Sequence, residues 1–260
     1  MAADRRGGRA RAHLRTGARI SLERLKKVAR KLPGFGVLQA MRDLTRGGDA
    51  RRSGLLRLLR PDGLFQPFGD TKADRYPEIF GFVAQRLTGG DGSILSVGCS
   101  TGEEVITLRR YFPQAAIKGI DISPQRIAIC RRRMAAQGDR NMRFAVAGDT
   151  AAEPAEHYAA IFAMAVFRHG GLGDGPPECA RHVTFAQFDT AMAGLARCLK
   201  PGGYLAIRHA NFRFEDTQAA RGFKPLMSAK RQSPLYGPDD RLLPEQPLEL
   251  CVFVKADAPL

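Results

Sequence analysis

The sequence predicts an α/β fold in which helices cover both faces of a mostly parallel sheet. From Tyr76 onward, short apolar strands alternate with helical patterns, and this order produces a parallel sheet. Residues 159–166 are apolar almost throughout, as expected for a central strand buried on both faces. The residues before Tyr76 are basic and show helical spacing, so we expect a helical extension ahead of the sheet.

The extension is predicted to have two parts. Residues 1–18 are rich in arginine, glycine and alanine, which predicts a disordered basic arm. Pro33-Gly34 ends the first helix of the following part, residues 19–75, and Pro61-Asp62-Gly63 is predicted to be a turn. Apolar residues at helical spacing predict three helices in that part, over 20–32, 37–44 and 53–59.

Residues 76–260 are predicted to form the sheet domain. Ser123 before Pro124 is a strong helix start, and Thr184 begins a second helix through a capping box with Gln187. Two further helices are expected over 79–87 and 102–111. The predicted strands cover 93–97, 116–120, 143–147, 159–166, 204–209 and 251–255. Residues 214–248 are too polar and proline-rich for an assignment.

The composition argues against several classes of protein. No run of eighteen apolar residues is present, so no membrane-spanning helix is predicted. The amino terminus lacks the apolar segment of a secretory signal, although its arginine-rich, acid-poor start is also compatible with a transit peptide. The five cysteines form no CxxC pair, and the five histidines lack metal-ligand spacing. We therefore expect reduced thiols, a cytoplasmic location and no metal.

Positive charge is concentrated near the amino terminus. Residues 1–60 carry 17 Lys and Arg against 4 Asp and Glu, whereas the rest of the chain carries 24 against 22. The asymmetry indicates that residues 1–60 contact RNA, an anionic membrane surface or an acidic partner, or else form a solvated arm. The sheet domain itself is close to neutral.

Residues 94–104, Ile-Leu-Ser-Val-Gly-Cys-Ser-Thr-Gly-Glu-Glu, contain the clearest functional motif. They predict a strand, a turn bounded by Gly98 and Gly102, and the start of a helix. Gly98 permits a sharp turn at the end of the strand, and Gly102 lets a ligand approach the helix amino terminus. Asp121 ends the next strand, where a carboxylate can accept hydrogen bonds from ribose hydroxyls.

The charge and spacing of this motif favour S-adenosylmethionine (SAM) over a dinucleotide. The dinucleotide pattern needs glycines where this chain has Ser100 and Glu103. A pyrophosphate would also face Glu103 and Glu104 in the first helical turn. SAM is a net cation at neutral pH, so acidic residues close to it are favourable.

The motif resembles motif I of the class I SAM-dependent methyltransferases, and its form is especially similar to the chemotaxis-receptor glutamate methyltransferases. Three further segments resemble landmarks of the same family and occur in the expected order, at 119–123, 147–149 and 199–203. The resemblance covers roughly residues 76–210. It implies a methyltransferase that uses SAM and a Rossmann-like sheet of seven strands, the last of them antiparallel.

The resemblance also implies where SAM binds. The cofactor is expected to lie across residues 98–102, with its ribose on Asp121 and its adenine amine near Asp149. These residues could also have purely structural roles. Glu103 and Glu104 could interact with the helix dipole. Ile122 could pack in the core, and Asp149 could be a solvated turn residue. The expected cofactor-binding residues are Gly98, Cys99, Ser100, Thr101, Gly102, Glu103, Asp121, Ile122, Gly148 and Asp149.

Two features depart from the family pattern. Ser96 and Ser100 stand where an acidic residue and a glycine are common in the wider family, although the chemotaxis-type enzymes tolerate similar residues. Residues 165–170, Ala-Val-Phe-Arg-His-Gly, replace the Asn-Val-Leu-Ile-Tyr-Phe-like stretch that those enzymes carry after the fourth strand. This replacement argues against receptor glutamate as the methyl acceptor.

Residues after the fourth and fifth strands are candidates for acceptor chemistry, because the resemblance places the methyl group beside them. A base is needed only if the acceptor must lose a proton, and either His169 or His209 could provide one. Each candidate could also be an ordinary polar residue at a strand end. The candidates are Arg168, His169 and His209, with Asn211 and Arg213 close by. Residues 64–77 are predicted to be either a lid or a packing segment.

Three functions are compatible with these observations. Methylation of a small molecule or carbohydrate is the first choice, because the sheet domain is neutral and no base-reading motif is present. RNA methylation is the second, with the basic arm holding phosphates. A non-catalytic SAM-binding module is the third, because Ser96 and Ser100 depart from the family pattern.

Overall fold

The structure is a computed structural model that describes residues 35–69, 71–87 and 92–257. The chain divides into two compact units between Leu58 and Leu59. The domain boundary expected between residues 75 and 76 stays a prediction. The predicted arm over 1–18 and the predicted helix over 20–32 lie outside the described residues.

The first unit contains two helices, α1 (Phe35–Leu44) and α2 (Gly48–Leu59). They pack closely, because a Cβ atom on Gly54 would lie 2.7 Å from the carbonyl oxygen of Ala40. Arg57 and Asp43 form an ion pair between the helices. The prediction of α1 is confirmed. The predicted start of α2 at Ser53 is wrong, because its polar first turn lacks the apolar positions that reveal helical spacing.

The second unit is built on one seven-stranded sheet with the order β3-β2-β1-β4-β5-β7-β6. Its strands are β1 (Ser93–Val97), β2 (Ala116–Asp121), β3 (Met142–Val146), β4 (Tyr158–Met164), β5 (Leu199–Arg208), β6 (Phe223–Lys230) and β7 (Leu248–Lys255). Its helices are α3 (Pro77–Ala84), α4 (Glu103–Tyr111), α5 (Pro124–Gln137) and α6 (Phe185–Cys198). β7 runs antiparallel to both neighbours, and the strands from β3 to β5 are parallel. The predicted Rossmann-like, mostly parallel sheet is therefore confirmed.

Alternation along the central strands supplies two apolar cores, one on each face of the sheet. Leu95 of β1 packs into the core that holds α6, whereas its neighbour Ile94 packs into the core that holds α3, α4 and α5. Successive side chains of a strand point to opposite faces, so a strand covered by helices on both faces must be apolar throughout. This requirement explains the continuous apolar run of β4.

Local signals set the starts of two helices as predicted. The hydroxyl of Ser123 accepts the backbone N–H of Arg126 at the start of α5, with Pro124 in the first turn. Thr184 and Gln187 complete a reciprocal capping box at the start of α6. Each cap satisfies N–H groups that have no partner within the helix.

Predicted boundaries fail mainly near the antiparallel edge of the sheet. β5 begins at Leu199 rather than Tyr204, with an irregular register opposite Tyr158 and Ala160. β6 falls inside residues 214–248, where the sequence pattern supports no assignment. Most of β6 is exposed and it contains Pro225, which an edge strand tolerates because one side of it makes no ladder hydrogen bonds.

None of the helices in the described part of the chain has both the length and the apolarity needed to cross a membrane.

A buried carboxylate connects the last three strands. Glu249 of β7 pairs with Arg208 at the end of β5 and lies 3.5 Å from Arg231, which follows β6. Its carboxylate also accepts the backbone N–H of His209 at 3.3 Å. Both arginines and the glutamate are buried, so removing the carboxylate would leave cations without a counter-charge inside the protein.

We therefore predict that E249Q lowers the free energy of unfolding by about 3 kcal/mol, the scale of breaking a buried ion pair. Urea denaturation monitored by circular dichroism measures this change. E178Q is the matched control, because Glu178 and Arg241 form an exposed pair at 3.7 Å and the loss there should stay below about 1 kcal/mol. Equal losses in the two variants would contradict the prediction.

Candidate active site

A cavity of about 360 Å³ lies at the carboxyl ends of β1, β2 and β4. Its floor is formed by the segments that follow these strands, within residues 97–100, 121–122 and 164–168. Parallel pairing of β1 with both β2 and β4 brings the three strand ends together at one edge of the sheet. This edge is where open α/β sheets usually bind ligands.

Gly98 lets two of these segments meet. Its φ angle is +69°, in the left-handed region that favours glycine. A Cβ atom at this position would lie 1.9 Å from Cγ2 of Val166, so any side chain would collide with the loop after β4. The sharp turn predicted at Gly98 is thus required both by its backbone angle and by the close approach of Val166.

The carboxylate of Asp121 joins the loops after β1 and β2. One oxygen accepts the backbone N–H of Ser100 at 2.9 Å, and the other accepts that of Ser123 at 2.8 Å. Asp121 is buried and lines the cavity. Its carboxylate is therefore held at the edge of the sheet where the cavity lies.

Glu104 supplies a second carboxyl group to the cavity. The hydroxyl of Ser96, fully buried on β1, donates to Oε1 of Glu104 at 2.7 Å. Burial raises the pKa of Glu104 to about 8, although the Ser96 hydroxyl and the Arg75 charge act in the opposite direction. The resemblance would place an acidic residue at position 96. In this chain Glu104, on α4, supplies a carboxyl group to the same strand end instead.

The wall of the cavity comes from residues within 63–69 and 71–76, ahead of the sheet. Phe65 anchors this segment by packing edge-on against Phe167, with ring centroids 5.0 Å apart. Asp74 fixes its other end, since its backbone N–H donates to the Thr107 hydroxyl at 3.1 Å. A Cβ atom on Gly63 would lie 2.5 Å from the Gly148 carbonyl oxygen. Most of the segment predicted to be a lid or a packing element thus covers the strand ends.

Six of the ten expected cofactor-binding residues line the cavity, namely Gly98, Cys99, Ser100, Asp121, Ile122 and Gly148. Thr101, Gly102 and Glu103 lie beside it, and Glu103 points to Arg133 at 2.6 Å. Burial opposes ionisation of Glu103, but hydrogen bonds from Thr101 and Arg133 lower the pKa of this carboxyl below its ordinary value. Glu103 thereby holds the loop to α5.

Asp149 is exposed and lies outside the cavity wall. Its carboxylate accepts the backbone N–H of Ala151 at 2.8 Å. This hydrogen bond closes a local turn, as expected if Asp149 is a solvated turn residue. Contact between Asp149 and the adenine remains a prediction.

Of the three predicted catalytic residues, Arg168 lines the cavity. His169 is not among the lining residues, and its ring nitrogen accepts the backbone N–H of Gly171 at 3.0 Å while the ring stacks on His182 at 4.4 Å. Asn211 supports this loop, because its side-chain oxygen accepts the backbone N–H of His169 at 2.8 Å. A catalytic role for His169 remains a prediction.

His209 is buried beside a neighbouring cavity rather than on the wall of the main one. Burial, together with the charges of Arg208, Arg168 and Arg75, lowers the pKa of His209 to about 3. Such a group is neutral but weakly basic near neutral pH, which makes it a poor proton acceptor. Arg213, near the same strand end, donates to Asp216 instead.

Several cavity residues are not predicted from the sequence as cofactor-binding. Glu104 is not among the expected cofactor-binding residues, although its charge favours a cationic cofactor. The serine at position 96 is a signal that another residue must supply the acidic group at that strand end. Arg126 of α5 reaches back to the wall and donates to the Pro67 carbonyl oxygen at 3.2 Å. Tyr76 also lines the cavity, and no local pattern distinguishes it from an ordinary aromatic residue ahead of a helix.

Residues 94–203 match the family model described as "Methyltransferase domain". This match begins in β1 and ends in β5, so it spans the motif, the second strand and the loops that floor the cavity. No curated protein matches the chain.

Solved structures with low sequence identity are also similar to this chain. Phosphoethanolamine N-methyltransferase 2 of Haemonchus contortus, in complex with phosphomonomethylethanolamine and S-adenosylhomocysteine, is 17% identical over 54% of this chain and 29% of that chain, with a TM-score of 0.39. Geranyl diphosphate C-methyltransferase of Streptomyces coelicolor is 18% identical over 50% of this chain and 44% of that chain, with a TM-score of 0.38. The YcgJ protein of Bacillus subtilis is 9% identical over 70% of this chain and 100% of that chain, with a TM-score of 0.46. The chain thus spans less than half the length of the first two.

We predict that G98A loses about 2–4 kcal/mol of stability, because the variant combines an unfavourable φ angle with a collision against Val166. Gly138 is the matched control: its φ is also +69°, and nothing lies within 4 Å of its Cβ position. G138A should therefore lose only about 1 kcal/mol, from the backbone angle alone. Urea denaturation measures both losses, and equal values would show that the Val166 contact carries no cost.

We also predict that E104Q becomes more stable than the wild type as the pH rises. Between the ordinary pKa of 4.5 and about 8, the folded protein keeps a proton on Glu104 that the unfolded chain has released. Wild-type stability therefore falls with pH across this window, and E104Q lacks that loss. The gain should reach about 1–3 kcal/mol near pH 8.5 and vanish near pH 5.

Thermal or urea unfolding at several pH values measures the E104Q effect. E103Q is the matched control, because the Glu103 carboxyl is stabilised in its charged form and its removal should destabilise the protein above the ordinary carboxyl pKa. A constant difference between E104Q and the wild type across pH would contradict the assignment of the raised pKa.

Proposed function

We propose that this chain is a class I SAM-dependent methyltransferase that transfers the methyl group to a small molecule. The match of residues 94–203 to a methyltransferase family model supports this proposal. SAM is its cofactor. The observation that supports a small acceptor is the wall over the strand ends, since residues within 63–69 and 71–76 convert an open sheet edge into a cavity. A cavity of about 360 Å³ is within the usual range of small-molecule sites.

The residues in the cavity fit SAM by charge and by hydrogen-bonding capacity. Asp121 lines the cavity at the carboxyl end of β2, where its carboxylate would accept hydrogen bonds from the ribose hydroxyls. Glu104 would pair with a positive group of the cofactor. The raised pKa of Glu104 supports this role, because a cation beside the carboxyl would relieve the cost of its buried negative charge.

Chemistry at this site requires little of the protein beyond alignment and exclusion of water. Bound SAM supplies a sulfonium-activated methyl group that a nucleophile attacks in line. The wall formed within residues 63–69 and 71–76 would exclude water, and the loop after β4 would hold the acceptor against the floor of the cavity. Arg168 lies on that loop, lines the cavity and is one of the predicted catalytic residues. We therefore assign to Arg168 a contact with the acceptor.

The remaining sequence-based expectations are also part of the proposal. We propose the three-part organisation of arm, extension and SAM-binding domain, and a cytoplasmic location in keeping with five free, buried cysteines. RNA methylation depends on residues 1–60, of which 1–34 lie outside the described residues. A SAM-binding module without catalysis would show cofactor affinity but no product with any acceptor.

We predict that D121N weakens SAM binding by about 1–3 kcal/mol, the scale of losing charge-assisted hydrogen bonds. Isothermal titration calorimetry with SAM and with S-adenosylhomocysteine measures the change. D139N is the matched control, because Asp139 pairs with Arg109 outside the cavity. Its affinity for SAM should equal that of the wild type.

Two results would overturn the cofactor site. One is unchanged SAM affinity in D121N, and the other is competition between NADH and SAM for the wild-type protein. Circular dichroism of each variant confirms that the fold is retained.

A further inference from the structure

Two hydrogen-bond donors in the cavity have no protein partner. The hydroxyl of Tyr76 is buried and makes no hydrogen bond. The guanidinium of Arg168, which is half-buried, makes no hydrogen bond or ion pair with any residue in the described ranges. Buried polar groups are normally satisfied, so the Tyr76 hydroxyl indicates a missing acceptor of hydrogen bonds. Arg168 lines the same cavity as Tyr76, where it offers a positive charge to that acceptor.

The two donors belong to the same part of the cavity. Tyr76 ends the wall just before α3, and Arg168 follows β4. The charge of Arg168 acts on Tyr76 and also on His209, whose ring lies 5.6 Å from that of Tyr76. Burial raises the pKa of Tyr76 to about 12, so the hydroxyl keeps its proton and can donate it.

This pair of donors lies on the β4 side of β1, whereas Asp121 lies on the β2 side. The sheet order places β2 and β4 on opposite flanks of β1. A cofactor whose ribose contacts Asp121 would cross β1 and present its reactive end toward β4. Arg168 and Tyr76 would then face the position of the acceptor rather than that of the ribose.

We propose that Arg168 and Tyr76 bind a negatively charged group of the methyl acceptor, either a carboxylate or a phosphate. A guanidinium and a hydroxyl together offer several donors to one oxyanion, and arginine is well suited to both kinds of anion. The inference depends on the proposed function, because it names the substrate class of that same cavity. Glu104 and Asp121 would remain available to the cationic cofactor, so the two ligands have complementary charges.

The experiment uses the full chain saturated with S-adenosylhomocysteine and three probes of similar shape: benzoate, phenyl phosphate and neutral benzyl alcohol. Saturation-transfer NMR titrations give the dissociation constant of each probe. We expect at least one anion to bind in preference to benzyl alcohol. R168Q should weaken that binding about tenfold or more, Y76F less, and R168K should restore part of it.

Two controls test whether the weaker binding in R168Q comes from a lost contact between Arg168 and the anion. R132Q removes the same charge from an exposed position on α5 and should leave anion binding unchanged. Calorimetry should give the same affinity for S-adenosylhomocysteine in R168Q as in the wild type. A large loss of that affinity in R168Q would assign Arg168 to the cofactor's own carboxylate and overturn the proposal.

The outcomes distinguish this inference from the proposed function. If the wild type binds S-adenosylhomocysteine but no anion in preference to the alcohol, the acidic acceptor is wrong and the methyltransferase site stands. If the wild type binds no S-adenosylhomocysteine, the proposed site itself fails. Equal anion binding by the wild type and R168Q also contradicts the inference.

Discussion

The carboxylate of Asp121 is the constraint on which the candidate site depends. It accepts backbone N–H groups from Ser100 and Ser123, so a single side chain joins the loop after β1 to the loop after β2. These loops meet because β1 and β2 are parallel neighbours whose carboxyl ends share one edge of the sheet. Gly98 allows the loop after β4 to join these two loops, because only a residue without a side chain lets Val166 of that loop approach.

Groups of both charges line the cavity, since Lys72, Arg75 and Arg126 are among its lining residues together with the carboxyl groups. Asp121 and Glu104 supply carboxyl groups near the ends of β2 and β1, and Arg168 supplies a cation after β4. Each group is partly removed from water, so each is stabilised by a ligand of opposite charge. The same burial that raises the pKa of Glu104 also favours a cation beside it.

Elements with a strong local signal were predicted well. The cap at Ser123 and the capping box at Thr184 fix the starts of α5 and α6, because both depend on residues three positions apart in the chain. β6 has no such signal, since an edge strand buries little and tolerates Pro225. The start of β5 at Leu199 was missed for a related reason: it depends on pairing with Tyr158, a residue distant in sequence.

The sequence by itself determined the fold class, the motif over residues 94–104 and the carboxylate at the end of β2, because strand periodicity, glycine and caps act locally. Only the tertiary structure decided which side chains reach the cavity. Glu104 and Glu103 are adjacent in sequence, yet helical rotation sends one toward Ser96 and the other toward Arg133. Convergence of this kind depends on packing between distant segments, which no local pattern encodes.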